Sequence, residues 1–129
     1  ELIKQIKTDF KTPYYGNPLN TLVIGDTHLP FERTGYLEHC KIVQILYDCG
    51  TIVHIGDVID NHYSSYHESD PDGLSAGDEL NLAKQKLKDW YKSFPEVFVC
   101  LGNHDEIPKR KLKTLLLWLV ADTTFADFA

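Results

Sequence analysis

Three short apolar runs, each closed by glycine and followed at once by acidic and imidazole side chains, leave this chain few architectures. Thr21-Leu22-Val23-Ile24 leads into Gly25-Asp26-Thr27-His28, Thr51-Ile52-Val53-His54-Ile55 into Gly56-Asp57-Val58-Ile59-Asp60, and Val97-Phe98-Val99-Cys100-Leu101 into Gly102-Asn103-His104-Asp105. Runs of this length, bounded by glycine, read as strands. Two helical stretches separate them. Over about Gly35 to Asp48, Leu37, Cys40, Ile42, Val43, Ile45, Leu46 and Cys49 make a broad apolar face. Over about Ala76 to Ser93, Leu80, Ala83, Leu87, Trp90 and Phe94 recur at helical spacing until Pro95 stops the helix. Alternation of strand and helix predicts an α/β fold with a parallel sheet and right-handed crossovers. All three polar loops then share the carboxyl edge of the sheet, where ligand sites of such folds gather.

The loops carry a donor set for metal. Asp26, Asp57 and Asp60 would converge near His28 and Asn103, and two bare carboxylates ~4 Å apart repel by roughly 4 kcal/mol at an effective dielectric of 20. A divalent cation removes that repulsion. Carboxylate and amide oxygens mixed with imidazole suit Mn²⁺, Fe or Zn²⁺ better than an all-thiolate or all-oxygen site would. One ion would take Asp26 and His28, and Asp57 could bridge to a second held with Asn103, as in two-metal hydrolytic sites. A single aspartate after a strand is most often a turn or capping residue. The ordered occurrence in three loops is what favours ligands.

In these three blocks the chain resembles the N-terminal half of a calcineurin-like metallophosphoesterase, whose pattern is Asp-x-His, Gly-Asp-x-x-Asp, Gly-Asn-His-Asp/Glu, then a lone His and Gly-His-x-His. The match spans about Thr21 to Asp105. The resemblance implies a four-layer αββα sandwich of which this chain supplies roughly the first parallel βαβαβ half. It also implies hydrolysis of a phosphodiester or phosphomonoester by a hydroxide bridging two divalent ions, Mn²⁺ first, with Fe, Zn²⁺ or Mg²⁺ as alternatives. By the same resemblance Asp26, His28, Asp57 and Asn103 are metal ligands and Asp60 supports them from behind. His104 faces the substrate phosphate as the catalytic group, and Asp105 orients His104. The blocks continue as Leu29, Asn61 and Asp105, which argues against the protein serine/threonine phosphatase branch with its Gly-Asp-x-His-Gly and Asp-Arg-Gly signatures.

The pattern also departs from the family. No histidine follows His104, so the later histidine blocks have no counterpart in Glu106 to Ala129, and His39, His54, His62 and His67 do not fit them. Without methionine at its start, the chain reads as a piece of a longer protein: a lead-in over 1–20, then a domain over 21–129 that is incomplete at its C-terminus. One sheet face would then be uncovered. The alternative to an enzyme is a non-catalytic interaction module that keeps the fold and binds a partner through the apolar segment 115–121. That segment is too short to span a bilayer, which needs ~20 apolar residues. A third option is that a second copy or another chain supplies the missing histidines.

Other residues bear on substrate and compartment. Net charge is −6, which argues against a large nucleic-acid surface. Lys109-Arg110-Lys111 is the local exception, either a phosphate contact for a nucleotide or nucleic acid or, as short basic runs usually are, a solvated helix face. His62, Tyr63, Tyr66 and His67, in the polar aromatic segment after the second loop, could contact a leaving group or pack locally. His54, flanked by Val53 and Ile55, reads as a strand histidine with a local hydrogen bond. Cys40, Cys49 and Cys100, odd in number and without CxxC spacing, read as reduced core thiols of a cytoplasmic protein.

Overall fold

The computed structural model describes residues 13–64 and 73–113. Within them run strand β1 (Asn17–Ile24), helix α1 (Tyr36–Leu46), strand β2 (Cys49–His54), a 3₁₀ turn (His62–Ser64), helix α2 (Ala76–Ser93) and strand β3 (Val97–Val99). Residues 107–113 are helical. The sheet order is β1-β2-β3 and both pairings are parallel. This is the βαβαβ unit implied by the alternating pattern.

Register sorts the side chains into two faces. Leu22, Ile24 and Ile52 point into a core shared with Cys40 from α1 and Ala83, Trp90 and Phe94 near or on α2. Both helices therefore cover one face. Trp90 anchors that layer, its ring edge-on to Tyr36 at 5.6 Å and tilted against Phe94 at 6.1 Å. Full burial of an apolar side chain of Phe size contributes about 1.5–3 kcal/mol. The other face carries the row Val23, Val53 and Phe98, with Val23 60% and Phe98 69% exposed. Among the described residues no layer covers that face.

Helix α2 starts where its sequence says it should. Ser75 Oγ accepts the Asp78 amide at 3.1 Å, so Ser75 is the cap. Two sequence expectations shift. β1 begins at Asn17, four residues inside the expected lead-in, because Thr51 Oγ1 donates to the Pro18 carbonyl and Asn20 Nδ2 to the Tyr47 carbonyl. Cys100 is exposed, unlike buried Cys40 and Cys49, because the chain leaves β3 on the uncovered face. The apolar segment 115–121, with Tyr66 and His67, lies outside the described residues. No helix among the described residues is long and apolar enough to cross a membrane.

Candidate metal centre

The first two loops are joined by main chain. Beyond the strand ends, the His28 amide donates to the Asp57 carbonyl (2.9 Å), Leu29 to Val58 (2.9 Å) and Asp60 to Leu29 (3.0 Å). Thr27 Oγ1 adds a bond to the Val58 carbonyl at 3.0 Å, and Leu29 is fully buried beneath. The two loops thus continue the sheet as a parallel ribbon.

The third loop is fastened differently. Gly102 lies so close to Asp57 that a Cβ there would overlap the Asp57 carboxylate and amide, and a Cβ on Gly56 would overlap the Gly102 backbone. Two glycines are what let loops two and three touch. Across that contact the His104 amide donates to Asp57 Oδ1 at 2.9 Å, and Asn61 Nδ2 to the His104 carbonyl at 2.9 Å. Asp105 Oδ1 accepts the Val58 and Ile59 amides at 3.0 and 3.2 Å, while its Oδ2 accepts the Gly102 amide at 3.0 Å.

At this junction Asp26, His28 and Asp57 bring one ligand atom each within 4.8 Å of one another. All three hold positive φ, at 38°, 46° and 52°, a region non-glycine residues enter at a cost of order 1–3 kcal/mol and chiefly at functional sites. His28 Nδ1 meets Asp60 Oδ1 at 2.7 Å. That bond fixes the imidazole tautomer and leaves Nε2 for a metal, the usual carboxylate–histidine–metal relation. Asp60 also stands 3.7 Å from His104 Nδ1, and the His28 and His104 rings meet edge to face at 4.6 Å. His104 Nδ1 itself donates to the Asp60 carbonyl at 2.7 Å. The pairing of Asp105 with His104 that the resemblance implies is therefore replaced: the Asp60 backbone orients the ring, and Asp105 joins loops. Asn103 lies exposed in the third loop beside His104.

The remaining candidates are spread around this centre. His62 Nδ1 stands 3.8 Å from Asp60 Oδ2, and its ring is edge-on to Phe31 at 6.3 Å. The His62 and Tyr63 amides both donate to the buried carboxylate of Glu79. Arg110 donates to the Asn103 carbonyl at 2.8 Å, so its guanidinium braces the third loop. Lys109 lies exposed on the helical segment that follows. His54 is buried under the loops, accepting the Gly56 amide at Nδ1 and facing Thr27 Oγ1 from Nε2 at 3.1 Å. Burial lowers its pKa, with the Asp105, Asp26 and Asp57 charges opposing. Thr27, Glu79, Asn61 and Tyr36, whose hydroxyl donates to the Gly25 carbonyl at 2.7 Å, carry structural duties no sequence pattern singled out. A buried Glu on an otherwise ordinary helix gives no periodic signal.

The donor chemistry fits a divalent ion: two carboxylates and an imidazole converge, the imidazole already oriented from its far nitrogen. The group His28, Asp60 and His104 also clusters, but its Nδ1 atoms are engaged in hydrogen bonds and it acts as a brace. A family model described as calcineurin-like phosphoesterase matches residues 19–128. No curated protein and no solved structure matches the chain.

Proposed function

Because this chain belongs to the calcineurin-like phosphoesterase family, we propose that it is a metal-dependent hydrolase that cleaves a phosphodiester or phosphomonoester by attack of water. The observation that carries this reading is the convergence of Asp26, His28 and Asp57 within 4.8 Å. Asp26, His28, Asp57 and Asn103 would hold two divalent ions, Mn²⁺ being our first choice. Bound there, the ions would neutralise the carboxylates and lower the pKa of water from 15.7 towards about 7.

The protein's own groups do the rest. Asp60 holds His28 in its ligating tautomer through the 2.7 Å bond. His104, whose Nδ1 donates to the Asp60 carbonyl, would hand a proton from Nε2 to the leaving oxygen when its ring carries a proton on both nitrogens, a role general acids fill for roughly 10² to 10⁴ in rate. Asp105 keeps the third loop against Asp57.

A second reading, an interaction module, draws on the exposed face around Val23, Phe98 and Leu101. The two readings separate on bis(p-nitrophenyl) phosphate and p-nitrophenyl phosphate with added Mn²⁺. The enzyme reading expects hydrolysis that chelation and Asp57→Asn both abolish, and that His104→Ala lowers in kcat while Mn²⁺ binding persists. Hydrolysis indifferent to chelation, or Mn²⁺ binding unaffected by Asp57→Asn, would overturn it.

A further inference from the structure

Beside the centre, an open cleft of about 900 Å³ runs from Asp26 and His28 to the segment that enters α1, where Phe31, Arg33 and His39 line it. A cleft of this size belongs to the range that receives a drug-sized molecule, roughly 300–1,000 Å³. It is far more than a single phosphate on the metals would fill. The remainder has room for a group attached to the scissile phosphate.

Charge says what kind of group. Glu32, the acid on the rim besides Asp26, is held 2.9 Å from Lys86 Nζ, which also donates to the Pro30 carbonyl at 2.7 Å. That pair neutralises Glu32 and ties the segment to α2. Arg33 next to it is exposed, and its guanidinium has no hydrogen-bond or ion-pair partner among the described residues. Once the aspartates are neutralised, the charge without a counter-charge beside it, among the side chains that line the cleft, is the Arg33 guanidinium, whose planar donor fork matches a phosphate. Phe31, 53% exposed, adds a flat apolar wall backed by the His62 ring, a surface on which a base can stack. The opposite wall is fixed by the Tyr36 bond to Gly25.

We propose that this cleft receives the portion of the substrate flanking the scissile bond, and that Arg33 binds a second phosphate there. The preferred substrate is then a phosphodiester that carries a further phosphate, as an oligonucleotide does. This specificity rests on the phosphoesterase reading above.

The test uses a phosphorothioate-linked thymidine dinucleotide, slow to hydrolyse, with and without terminal phosphates. Its binding to the Mn²⁺-loaded protein is measured by calorimetry for wild type, Arg33→Ala and Arg33→Lys. Terminal phosphates are expected to tighten wild-type binding about tenfold, as one charge-assisted contact does. Arg33→Ala should lose most of that gain and Arg33→Lys should keep part of it. No gain in wild type, or the same gain in Arg33→Ala, overturns the proposal. Hydrolysis of bis(p-nitrophenyl) phosphate, which has no second phosphate, reports on the phosphoesterase reading separately. An inactive protein whose gain still depends on Arg33 would sink that reading and leave the phosphate site standing. An active one whose gain ignores Arg33 would do the reverse.

Discussion

Asp105→Asn separates two roles for one carboxylate. In the structure Asp105 receives three amides, from Val58, Ile59 and Gly102, and His104 Nδ1 is satisfied elsewhere. The asparagine oxygen can keep Val58 and Ile59, but its NH₂ must then face the Gly102 amide, donor against donor. Losing one bond to a charged acceptor costs about 1.5 kcal/mol. Neutralising the acceptor of the other two, which halves their strength, takes about 0.75 kcal/mol from each. The sum is about 3 kcal/mol, and since Asp105 is only partly buried water recovers some, leaving about 2 kcal/mol. Val58 and Ile59 directly follow Asp57, so the same loosening should weaken metal binding by up to about 30-fold. Urea denaturation of the metal-free protein reads the first quantity and calorimetric titration with Mn²⁺ the second. A variant with wild-type urea midpoint and wild-type Mn²⁺ affinity, but with lost turnover, would refute this reasoning and return Asp105 to a purely catalytic partnership with His104.

Three further outcomes are expected. Asp57→Asn should leave the metal-free melting temperature unchanged or raised, because asparagine can still accept the His104 amide and the repulsion with Asp26 is gone; a rise with Mn²⁺ that persists in this variant would contradict the ligand assignment. His54 has its pKa lowered by burial, so as pH falls below about 6.5 the unfolded chain takes up the proton first. Its stabilising contribution is complete above that pH and is lost below it, and the drop in unfolding free energy between about pH 7.5 and about pH 5.5 should be smaller in His54→Gln than in wild type. Thiol titration of the native protein should find Cys100 reacting fast and Cys40 and Cys49 slowly, since burial pushes the Cys40 thiol up to about 11 and raises Cys49 as well; equal reactivity of all three would contradict the core.

What was legible in the sequence was whatever periodicity encodes. Helix α2 is found at Ala76–Ser93 because an apolar stripe and a stopping proline agree, while Ser75 is seen to be its cap only from the bond to the Asp78 amide. The strands follow their apolar runs, but β1 begins at Asn17 through bonds from the Thr51 and Asn20 side chains to carbonyls, which an apolar run does not record. Asp26, His28 and Asp57 were picked out by spacing, and their convergence needed only the parallel order of the strands. The fastenings were not legible. Asp105 on three amides, Glu79 on two and Tyr36 on the Gly25 carbonyl depend on which loop lies beside which, and one-dimensional spacing does not carry that. Cys100 looked like a core thiol because the run Val97 to Leu101 is apolar on both faces.

The uneven fastening of the three loops makes the centre unevenly tolerant of mutation. Loops one and two are held by amide-to-carbonyl bonds, which every residue but proline can make, so exchange of side chains at Val58 or Ile59 leaves the ribbon's hydrogen bonding intact. Loop three hangs on the side chains of Asp57, Asn61 and Asp105, each of which a single base change can remove. Random substitution should therefore loosen the third loop through Asp57, Asn61 and Asp105, whereas the main-chain ribbon of the first two loops leaves an engineer freedom at positions such as Val58 and Ile59 that are not ligands.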